Sequence, residues 1–383
     1  MRRKLVVLGA TGSIGRQTLD VAREFADEIE IHALASHRNA SLLAEQARSS
    51  RPAEVVLVAG SPEGHDFGGA RVKTGAEAMT DLCRDPDADL VVVATTGSAG
   101  LQPTLAALRV GKLVALANKE TLVMAGPVIQ AELRDHGGSL VPIDSEHSAI
   151  WQCLQGEVPE SVERLTLTAS GGALRSLSLA KLSSVTPEQA LRHPTWSMGS
   201  KITIDSANLM NKGLEVIEAR WLFDMDIERI GVVLHAQSVV HSLVTFRDGS
   251  VKAQLGLPDM RLPIQYALSS PHRWESSRTR LAIEEVGCLD FAPVDMARYP
   301  ALRLALAVGR AGGTFPAALC AGDEVAVTAF LSGSIAFTDI PVIVQDVLDA
   351  HVNCSHPTLD DILQADQSAR ETAARRVSFR QYS

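Results

Sequence analysis

The sequence predicts an α/β protein with an N-terminal doubly wound parallel sheet, a central α+β domain and a C-terminal helical domain. Over the first 150 residues, short β-branched runs alternate with amphipathic stretches, which is typical of βαβ units. After Trp151 the pattern changes to polar strands and one long helix, and the end of the chain carries helical signals. We therefore expect domains over 1–150, 151–269 and 296–383, with a linker over 270–295.

The predicted strands of the N-terminal sheet are short apolar runs. A helix over Arg16–Phe25 follows the first run, and similar amphipathic stretches separate the others, as crossovers between parallel strands require. The runs are Lys4–Leu8, Ile29–Ala35, Glu54–Ala59, Leu90–Ala94, Lys112–Ala117 and Leu140–Ile143.

The central region combines strands, a loop and a long helix. Strands are predicted over Ile230–His235, Val239–Phe246 and Val251–Leu255, and Asp248-Gly249 is a hairpin signal between the last two. The long helix starts near Ser206, after a loop over 190–200 that is rich in His, Pro, Trp and Gly.

The last region begins after a segment without a clear period, from about 269 to 293, which is the predicted linker. Helices are then predicted from Pro300 to Gly312-Gly313, over Asp323–Leu331, and from Asp339 through His351.

Composition excludes several classes of protein. The 383 residues are 46% hydrophobic and 21% charged, with a net charge of -9, so we expect a soluble globular chain without non-specific attraction to nucleic acid or anionic membranes. No apolar run reaches the roughly 18 residues of a membrane span. The five cysteines are scattered and form no CxxC pair, which fits free thiols in a reducing cytoplasm.

A glycine-rich turn, Gly9-Ala10-Thr11-Gly12-Ser13-Ile14-Gly15, joins the first strand to the first helix. Glycines there allow a tight turn and a close approach to a pyrophosphate, which the helix N-terminus favours. The spacing is GxxGxxG rather than GxGxxG. The alternative is therefore that these glycines only allow close packing of the turn and bind no ligand. The context indicates a Rossmann-like dinucleotide site.

The end of the second strand indicates which dinucleotide binds. An NAD site usually has an acidic residue there, whereas this chain has Ser36-His37-Arg38-Asn39. A cation suits a 2′-phosphate, so NADPH is favoured. The alternative is that Arg38 is a solvated surface residue.

Three carboxylates are candidate metal ligands. If the chain is still extended after Leu140–Ile143, Asp144 and Glu146 project from one side, and Glu215 joins them from the long helix. Oxygen ligands without cysteine favour Mg²⁺ or Mn²⁺. Alternatively, Ser145 caps a helix over Ser148–Leu154 and the two acids merely favour its N-terminus.

A phosphate site is predicted from small residues, hydroxyls, an amide and one ammonium group, which together hold a dianion locally. Ser206 at the helix start and Asn211-Lys212 one to two turns later are expected to share a face. The set is Ser170-Gly171-Gly172, Ser206, Asn211 and Lys212.

The run His193-Pro194-Thr195-Trp196-Ser197-Met198-Gly199 has turn residues around one large aromatic. This composition is that of a mobile lid that covers a ligand and excludes water. A core position for Trp196 is the alternative.

These motifs closely resemble the 1-deoxy-D-xylulose 5-phosphate reductoisomerase family of the non-mevalonate isoprenoid pathway. The matching strings span both larger predicted domains, and the last of them runs to Arg261; the C-terminal helices match in pattern more than in signature. The matching strings are GATGSIG, ANKETLV, PIDSEHSAIWQ, ASGG, HPTWSMG, KITIDSANLMNKGLEVIEARWLF, HAQSVVHS and QLGLPDMR.

The resemblance implies a role for individual residues. Cofactor contacts would be Thr11, Gly12, Ser13, Ile14, His37, Arg38, Asn39, Asn118, Glu120 and Gly199. Metal ligands would be Asp144, Glu146 and Glu215. Substrate contacts would be Lys119, Ser145, Glu146, Ser170, His193, Trp196, Ser206, Asn211, Lys212 and Glu215, and the catalytic group would be Lys119, Asp144, Glu146, His193 and Glu215. Departures at Ala10, His37-Arg38, Ala173-Leu174 and Thr195 bear on affinity and lid behaviour.

The resemblance also implies a homodimer and a two-stage reaction. A metal-assisted rearrangement of the phosphorylated ketose precedes reduction by NADPH to 2-C-methyl-D-erythritol 4-phosphate. Two alternatives stay open: another metal-aided NADP-dependent reductase of a hydroxyacid or ketol acid, and a catalytically silent NADP-binding protein.

Overall fold

A computed structural model of the chain describes residues 2–381. These residues form two compact units, each built from three stretches of chain. Unit 1 contains 2–121, 129–148 and 259–279; unit 2 contains 122–128, 149–258 and 280–381.

Twelve strands are present in the described residues, and they form one sheet in each unit. They are β1 Arg3–Leu8, β2 Ile29–Ser36, β3 Glu54–Leu57, β4 Arg71–Thr74, β5 Leu90–Val93, β6 Leu113–Leu116, β7 Ser139–Pro142, β8 Val162–Ala169, β9 Ile230–Leu234, β10 Val240–Phe246, β11 Val251–Leu255 and β12 Ala292–Pro293.

The α-helices are separated in places by short 3₁₀ turns. In chain order they are α1 Ser13–Glu24, α2 Ala40–Ser50, α3 Ala76–Leu82, α4 Leu101–Arg109, α5 Lys119–His136, α6 Ser145–Cys153, α7 Pro187–Ala190, α8 Ser200–Asn208, α9 Met210–Leu222, α10 Arg261–Ser269, α11 Ile283–Val286, α12 Pro300–Ala311, α13 Phe315–Leu331, α14 Ile340–Ala350 and α15 Leu359–Gln381.

Unit 1 contains the predicted doubly wound sheet. Its seven parallel strands have the order β4-β3-β2-β1-β5-β6-β7, and the direction of winding reverses between β1 and β5. The central strands are buried because both faces are covered, as their continuous apolar sequence requires. The unpredicted strand is β4, whose residues are polar and exposed at the sheet edge. A ligand is expected at the carboxyl ends of β1 and β5.

The segment 259–279 belongs to unit 1, so the predicted boundary at 269 differs from the structure. Helix α10 packs against α1 and β7, and Trp274 lies on Phe25 with ring centroids 5.0 Å apart. The later part of the predicted linker belongs to unit 2, where β12 pairs with β9 and Phe291 stacks on His235. Neither contact leaves a periodic pattern in the sequence.

Unit 2 contains a five-stranded mixed sheet with the order β11-β10-β8-β9-β12, as expected for an α+β region. The predicted hairpin is confirmed: β10 and β11 are antiparallel, and Gly249 in their turn has φ +84°. The C-terminal helices are also confirmed, although α13 begins eight residues earlier than the predicted Asp323 and α15 was not predicted.

The single long helix predicted from near Ser206 is wrong. The chain forms α8 and α9, separated at Leu209, which has a left-handed φ of +61°. Asn208 stabilises the break because its Oδ1 accepts from the Met210 N–H at 2.8 Å. Ser206 therefore lies in the last turn of α8, while Asn211 and Lys212 lie in the first turn of α9 and share no helix face with it.

Two further expectations concern membrane-spanning segments and the cysteine thiols. No helix within 2–381 combines the length and apolar character needed to cross a membrane. All five cysteines lie within the same range and are free, with Cys83, Cys153 and Cys320 buried.

Candidate active site

The glycine-rich turn lies at the point where the winding of the sheet reverses. Gly9 has φ +81°, and a Cβ there would lie 2.3 Å from the carbonyl oxygen of Ala94, which follows β5. A Cβ on Gly15 would lie 2.2 Å from the Gly9 carbonyl oxygen. Both glycines are therefore required by close backbone packing. Gly12 is the N-cap of α1, so this turn presents a helix N-terminus suited to a diphosphate.

The residues predicted to bind a 2′-phosphate lie at the end of β2. His37 and Arg38 are exposed directly after the strand. Asn39 caps α2 because its Oδ1 accepts from the Leu42 N–H at 3.1 Å. Thr11 in the glycine turn is linked to this edge, with its hydroxyl 2.7 Å from that of Ser36.

A second glycine-rich loop, Thr95 to Gly100, follows β5 and was not identified from the sequence. Gly97 has φ +60°, and the Thr95 hydroxyl oxygen is buried without a hydrogen-bond partner among the described residues. The loop can be recognised by its position, because it follows β5, the neighbour of β1, at the point where the winding of the sheet reverses.

Asn118 holds this second loop in place. Its amide nitrogen donates to the carbonyls of Thr95 and Gly97, both at 2.9 Å. Its amide oxygen accepts from the backbone N–H and the hydroxyl of Thr121. Since protein groups use both ends of the amide, a cofactor contact by Asn118 would come from its backbone.

Asp144 and Glu146 lie at the start of α6 rather than on an extended segment. The helix begins at Ser145, three residues earlier than predicted, and the Ser148 N–H donates to the Asp144 carbonyl at 2.8 Å. The expected same-side extended projection is therefore wrong. The two side chains nevertheless converge, with carboxylate oxygens within 4.8 Å of each other. Both acids also lie near a helix N-terminus, which favours negative charge.

Lys119 is paired with this acidic group. Its Nζ lies 2.6 Å from Asp144 Oδ2, and the two side chains are only 7% and 13% exposed. Ser145 donates its hydroxyl to Glu146 Oε2 at 2.5 Å. His147 is fully buried with Nδ1 4.0 Å from Asp144 Oδ2, so it supports the acidic group from inside the unit.

In unit 2, the start of α9 brings together the predicted metal ligand and two predicted phosphate contacts. Glu215 is 1% exposed; its Oε1 accepts from the Asn211 amide at 2.5 Å, and its Oε2 forms an ion pair with Lys212. The residues are three and four positions apart on one helix, so their side chains meet. A buried ammonium group needs such a partner.

The Ser170 loop lies against the last turn of α8. Gly172 has φ +68°, and a Cβ there would lie 2.5 Å from Ala207 Cα and 2.6 Å from the Ser206 carbonyl oxygen. The Gly172 N–H donates to the Ser170 hydroxyl at 3.2 Å. Close backbone packing therefore places Ser170 and Ser206 in one part of unit 2.

His193 fixes the first turn of the loop containing Trp196. Its Nδ1 accepts from the N–H groups of Thr195 and Trp196 at 3.1 and 2.9 Å. Nε2 therefore carries the proton and donates to the Ser170 hydroxyl at 2.9 Å. Trp196 is half-buried, outside any helix or strand, with its ring centroid 6.2 Å from that of His241. This environment favours the lid interpretation over a core position.

Burial keeps both histidines of this region neutral. It lowers the pKa of His193, and the charge of Arg175 lowers it further. Burial also lowers the pKa of His241 to about 4. Neutral imidazoles are compatible with the acceptor role of His193 Nδ1.

Acidification is expected to loosen the loop that contains Trp196. The pKa of His193 is lowered in the folded loop, so the neutral imidazole stabilises the loop fully above its ordinary value of about 6.5. This stabilisation is lost as the pH falls through the lowered pKa, because protonation places an N–H against the N–H groups of Thr195 and Trp196. We expect a pH-dependent change in Trp196 fluorescence below about 6.5, measured against Trp196→Phe as background.

The control for this titration is His193→Gln, which should remove the transition. A wild-type signal that stays constant throughout this range, in protein whose circular dichroism is unchanged, would show that neutral His193 does not stabilise the loop.

Comparison with known proteins places these motifs in one family. The model described as 1-deoxy-D-xylulose 5-phosphate reductoisomerase matches residues 5–126. Two models of the C-terminal domains of the same enzyme match residues 140–223 and 255–372.

Full-length relatives carry the same name. The 1-deoxy-D-xylulose 5-phosphate reductoisomerase of Prosthecochloris aestuarii is 50% identical over 97% of this chain and 99% of its own length. The solved enzyme of Zymomonas mobilis, in complex with NADPH, is 42% identical over 98% of this chain and 99% of its own, with a TM-score of 0.90. A further reductoisomerase, solved with NADPH, fosmidomycin and magnesium, is 38% identical over 98% of each chain, with a TM-score of 0.92.

Proposed function

The chain belongs to the 1-deoxy-D-xylulose 5-phosphate reductoisomerase family, and we propose how its residues divide the reaction between cofactor, metal and substrate. It is an NADPH-dependent enzyme that converts 1-deoxy-D-xylulose 5-phosphate to 2-C-methyl-D-erythritol 4-phosphate. The observation that carries the assignment is the start of α9, where Asn211 and Lys212 converge on buried Glu215.

Unit 1 fits the dinucleotide. The turn from Gly9 to Gly15 is held by close backbone packing at its two ends and places Gly12 at a helix N-terminus, which suits a diphosphate. Thr11, Gly12, Ser13 and Ile14 hold it in this proposal. Arg38, with His37 and Asn39, binds the 2′-phosphate, and the Thr95 hydroxyl supplies a further polar contact. Asn118, Glu120 and Gly199 complete the cofactor set.

Asp144, Glu146 and Glu215 have the donor chemistry of a divalent-cation site. All three offer carboxylate oxygens, which hard cations prefer, and no thiolate stands among them. When bound, Mg²⁺ or Mn²⁺ acts as a Lewis acid on the oxygens of the sugar phosphate. Before binding, Lys119 balances the charge of Asp144, and Lys212 balances that of Glu215.

The phosphate of the substrate is held by groups of unit 2. Ser170 and Ser206 supply hydroxyls, Asn211 an amide, and Lys212 an ammonium group. Binding there, at a distance from the reacting carbons, provides energy for closing the lid and orienting the sugar. Ser145 and His193 add polar contacts, and Trp196 covers the substrate and excludes water.

Lys119 is the candidate for stabilising charge and for moving protons on the substrate oxygens. It is nearly buried and held 2.6 Å from Asp144. Its Nζ is a donor in a low-dielectric environment, where a fixed positive charge stabilises a developing negative charge strongly. NADPH supplies the hydride for the reduction step.

The assembly is proposed from the family resemblance to be a homodimer in the cytoplasm. Sedimentation equilibrium of the purified chain tests the dimer, and a single monomeric species at working concentration would contradict it.

Replacing Arg38 is expected to affect NADPH and NADH differently. Arg38→Ala removes the cation proposed to face the 2′-phosphate, so NADPH binding should weaken about tenfold or more while NADH binding changes little. Isothermal titration with both dinucleotides measures this. Arg48→Ala is the control, because Arg48 lies in the last turn of α2 and donates to the Asp66 carbonyl at 2.8 Å, outside the proposed cofactor set. Equal losses for the two dinucleotides in Arg38→Ala would remove the 2′-phosphate assignment.

The reaction assignment is tested by incubating the enzyme with a metal, NADPH and either the phosphorylated ketose or a ketol acid. Turnover of the ketose with formation of the branched polyol phosphate supports the proposal. Turnover of the ketol acid alone would contradict it.

A further inference from the structure

A buried ionic cluster lies directly after the lid and is not part of the proposed chemistry. Lys201 is the second residue of α8, and its Nζ lies 2.7 Å from Asp205 Oδ2 and 3.0 Å from Asp323 Oδ2. The side chains of Asp205 and Asp323 are 2% and 0% exposed, while that of Lys201 is 26% exposed. Asp323 belongs to α13, so the cluster links α8 to the C-terminal helices.

Local helix energetics do not explain this arrangement. A cation in the first turn of a helix opposes the helix dipole. The order Lys before Asp at four residues' separation is also the less favourable orientation of an ion pair. Burying two carboxylates around one ammonium group is costly unless geometry compensates. The cluster therefore serves the contact between α8 and α13 rather than the stability of α8 alone.

Helix α8 carries parts of the proposed site at both of its ends. It begins at Ser200, immediately after His193-Pro194-Thr195-Trp196-Ser197-Met198-Gly199, and it ends with Ser206 in its last turn. That last turn packs so closely on Gly172 that a single Cβ would lie 2.5 Å from backbone. A small shift of α8 along its axis would therefore move the Ser170 loop, Ser206 and the attachment of the lid together.

We propose that Lys201, Asp205 and Asp323 form a positioning network that fixes α8 on α13. The network thereby holds the attachment of the lid and the phosphate-binding Ser206 in fixed positions relative to each other. The proposal rests on the proposed function of Ser206 and the lid. In this proposal the three residues act through the position of α8.

The expected kinetic effect falls on substrate binding. Asp323→Asn keeps the shape of the side chain but removes one charge, and Lys201→Met removes the cation from a partly exposed position. Each should raise KM for the phosphorylated ketose about tenfold or more, because small misplacements of binding groups have effects of this size or larger. The kcat and the NADPH affinity should both change less than KM, because among the proposed cofactor contacts Gly199 alone adjoins α8. Lys201→Arg keeps the positive charge, so its KM for the phosphorylated ketose should stay near the wild-type value.

The matched control is Arg370→Met. The guanidinium group of Arg370 likewise pairs with two carboxylates. Its Nε lies 2.8 Å from Oδ2 of Asp366, four residues earlier, and its Nη2 lies 2.5 Å from Oε2 of Glu324 in α13. It lies on α15, which packs on α13 and α14. This variant should lose thermal stability but keep the wild-type KM. The proposal would be overturned if Arg370→Met raised KM as much as Asp323→Asn and Lys201→Met do. It would also be overturned if KM were unchanged in Asp323→Asn and Lys201→Met.

Hydrogen exchange, followed by mass spectrometry on the full chain, provides a second readout that needs no turnover. Asp323→Asn should accelerate exchange in peptides covering 193–208, whereas Arg370→Met should leave those peptides unchanged. Unaltered exchange at 193–208 in Asp323→Asn would contradict the network. Absence of turnover in the wild-type chain would contradict the proposed function and leave the exchange result to decide the positioning role.

Discussion

Glu215→Gln is expected to abolish turnover while NADPH binding persists. The substitution removes a full charge from one of three proposed metal ligands, and Lewis-acid stabilisation by a bound cation contributes several kcal/mol, so the loss should be about a thousandfold or more. The proposed cofactor groups lie in unit 1, apart from Gly199 of the proposed lid, so fluorescence titration with NADPH should give the wild-type affinity.

The same substitution has a cost in stability that must be separated from the catalytic loss. It leaves Lys212, which is 3% exposed, without its carboxylate partner, and breaking a buried ion pair costs about 3–5 kcal/mol. Thermal unfolding with and without Mg²⁺ therefore accompanies the kinetics. Glu228→Gln is the control, since Glu228 of unit 2 is exposed and pairs with Arg310. Near-normal metal-dependent activity in folded Glu215→Gln would refute the ligand role.

Gly172→Ala is expected to have the second largest effect, because the new Cβ has no space. Left-handed backbone costs a non-glycine residue about 1–2 kcal/mol, and overpacking a rigid site adds about 1–3 kcal/mol. The clashing atoms belong to the backbone of Ser206 and Ala207, so relief requires α8 or the Ser170 loop to move. We expect lower thermal stability and a KM for the phosphorylated ketose raised about tenfold or more.

Gly249→Ala isolates the backbone strain from the clash. Gly249 also has a positive φ, +84°, but no atom lies within 4 Å of its ideal Cβ position. It lies in the β10–β11 turn, outside the proposed site, so only a modest loss of stability is expected, with unchanged kinetics. If Gly172→Ala behaves like Gly249→Ala, the close packing of the Ser170 loop on α8 does not position the phosphate site.

The parallel sheet of unit 1 could be predicted because its signals are local. Buried parallel strands are apolar on both faces, so β5 and the second half of β1 appear as short continuous apolar runs bounded by turns. The exposed edge strand β4 lacks that signal. The placement of 259–279 in unit 1 depends on contacts between residues far apart in sequence, such as Phe25 with Trp274.

The candidate residues could be predicted in type more readily than in geometry. The sequence indicates carboxylates, an ammonium group and glycine turns, but not that Leu209 adopts a left-handed conformation and divides α8 from α9. Leucine rarely adopts that conformation, so nothing local predicts the break. Likewise, Asn118 caps α5 and holds the Thr95 loop through long-range hydrogen bonds that no spacing rule indicates.

The most direct test of the account is NADPH oxidation with 1-deoxy-D-xylulose 5-phosphate, before and after metal removal by EDTA, with identification of the product. We expect turnover to stop on chelation, to return with Mg²⁺ or Mn²⁺, and to yield 2-C-methyl-D-erythritol 4-phosphate. Turnover that persists in the metal-free protein, or folded protein that binds NADPH but converts no phosphorylated ketose with any divalent cation, would contradict the assignment of Asp144, Glu146 and Glu215 to a metal-dependent reductoisomerase site.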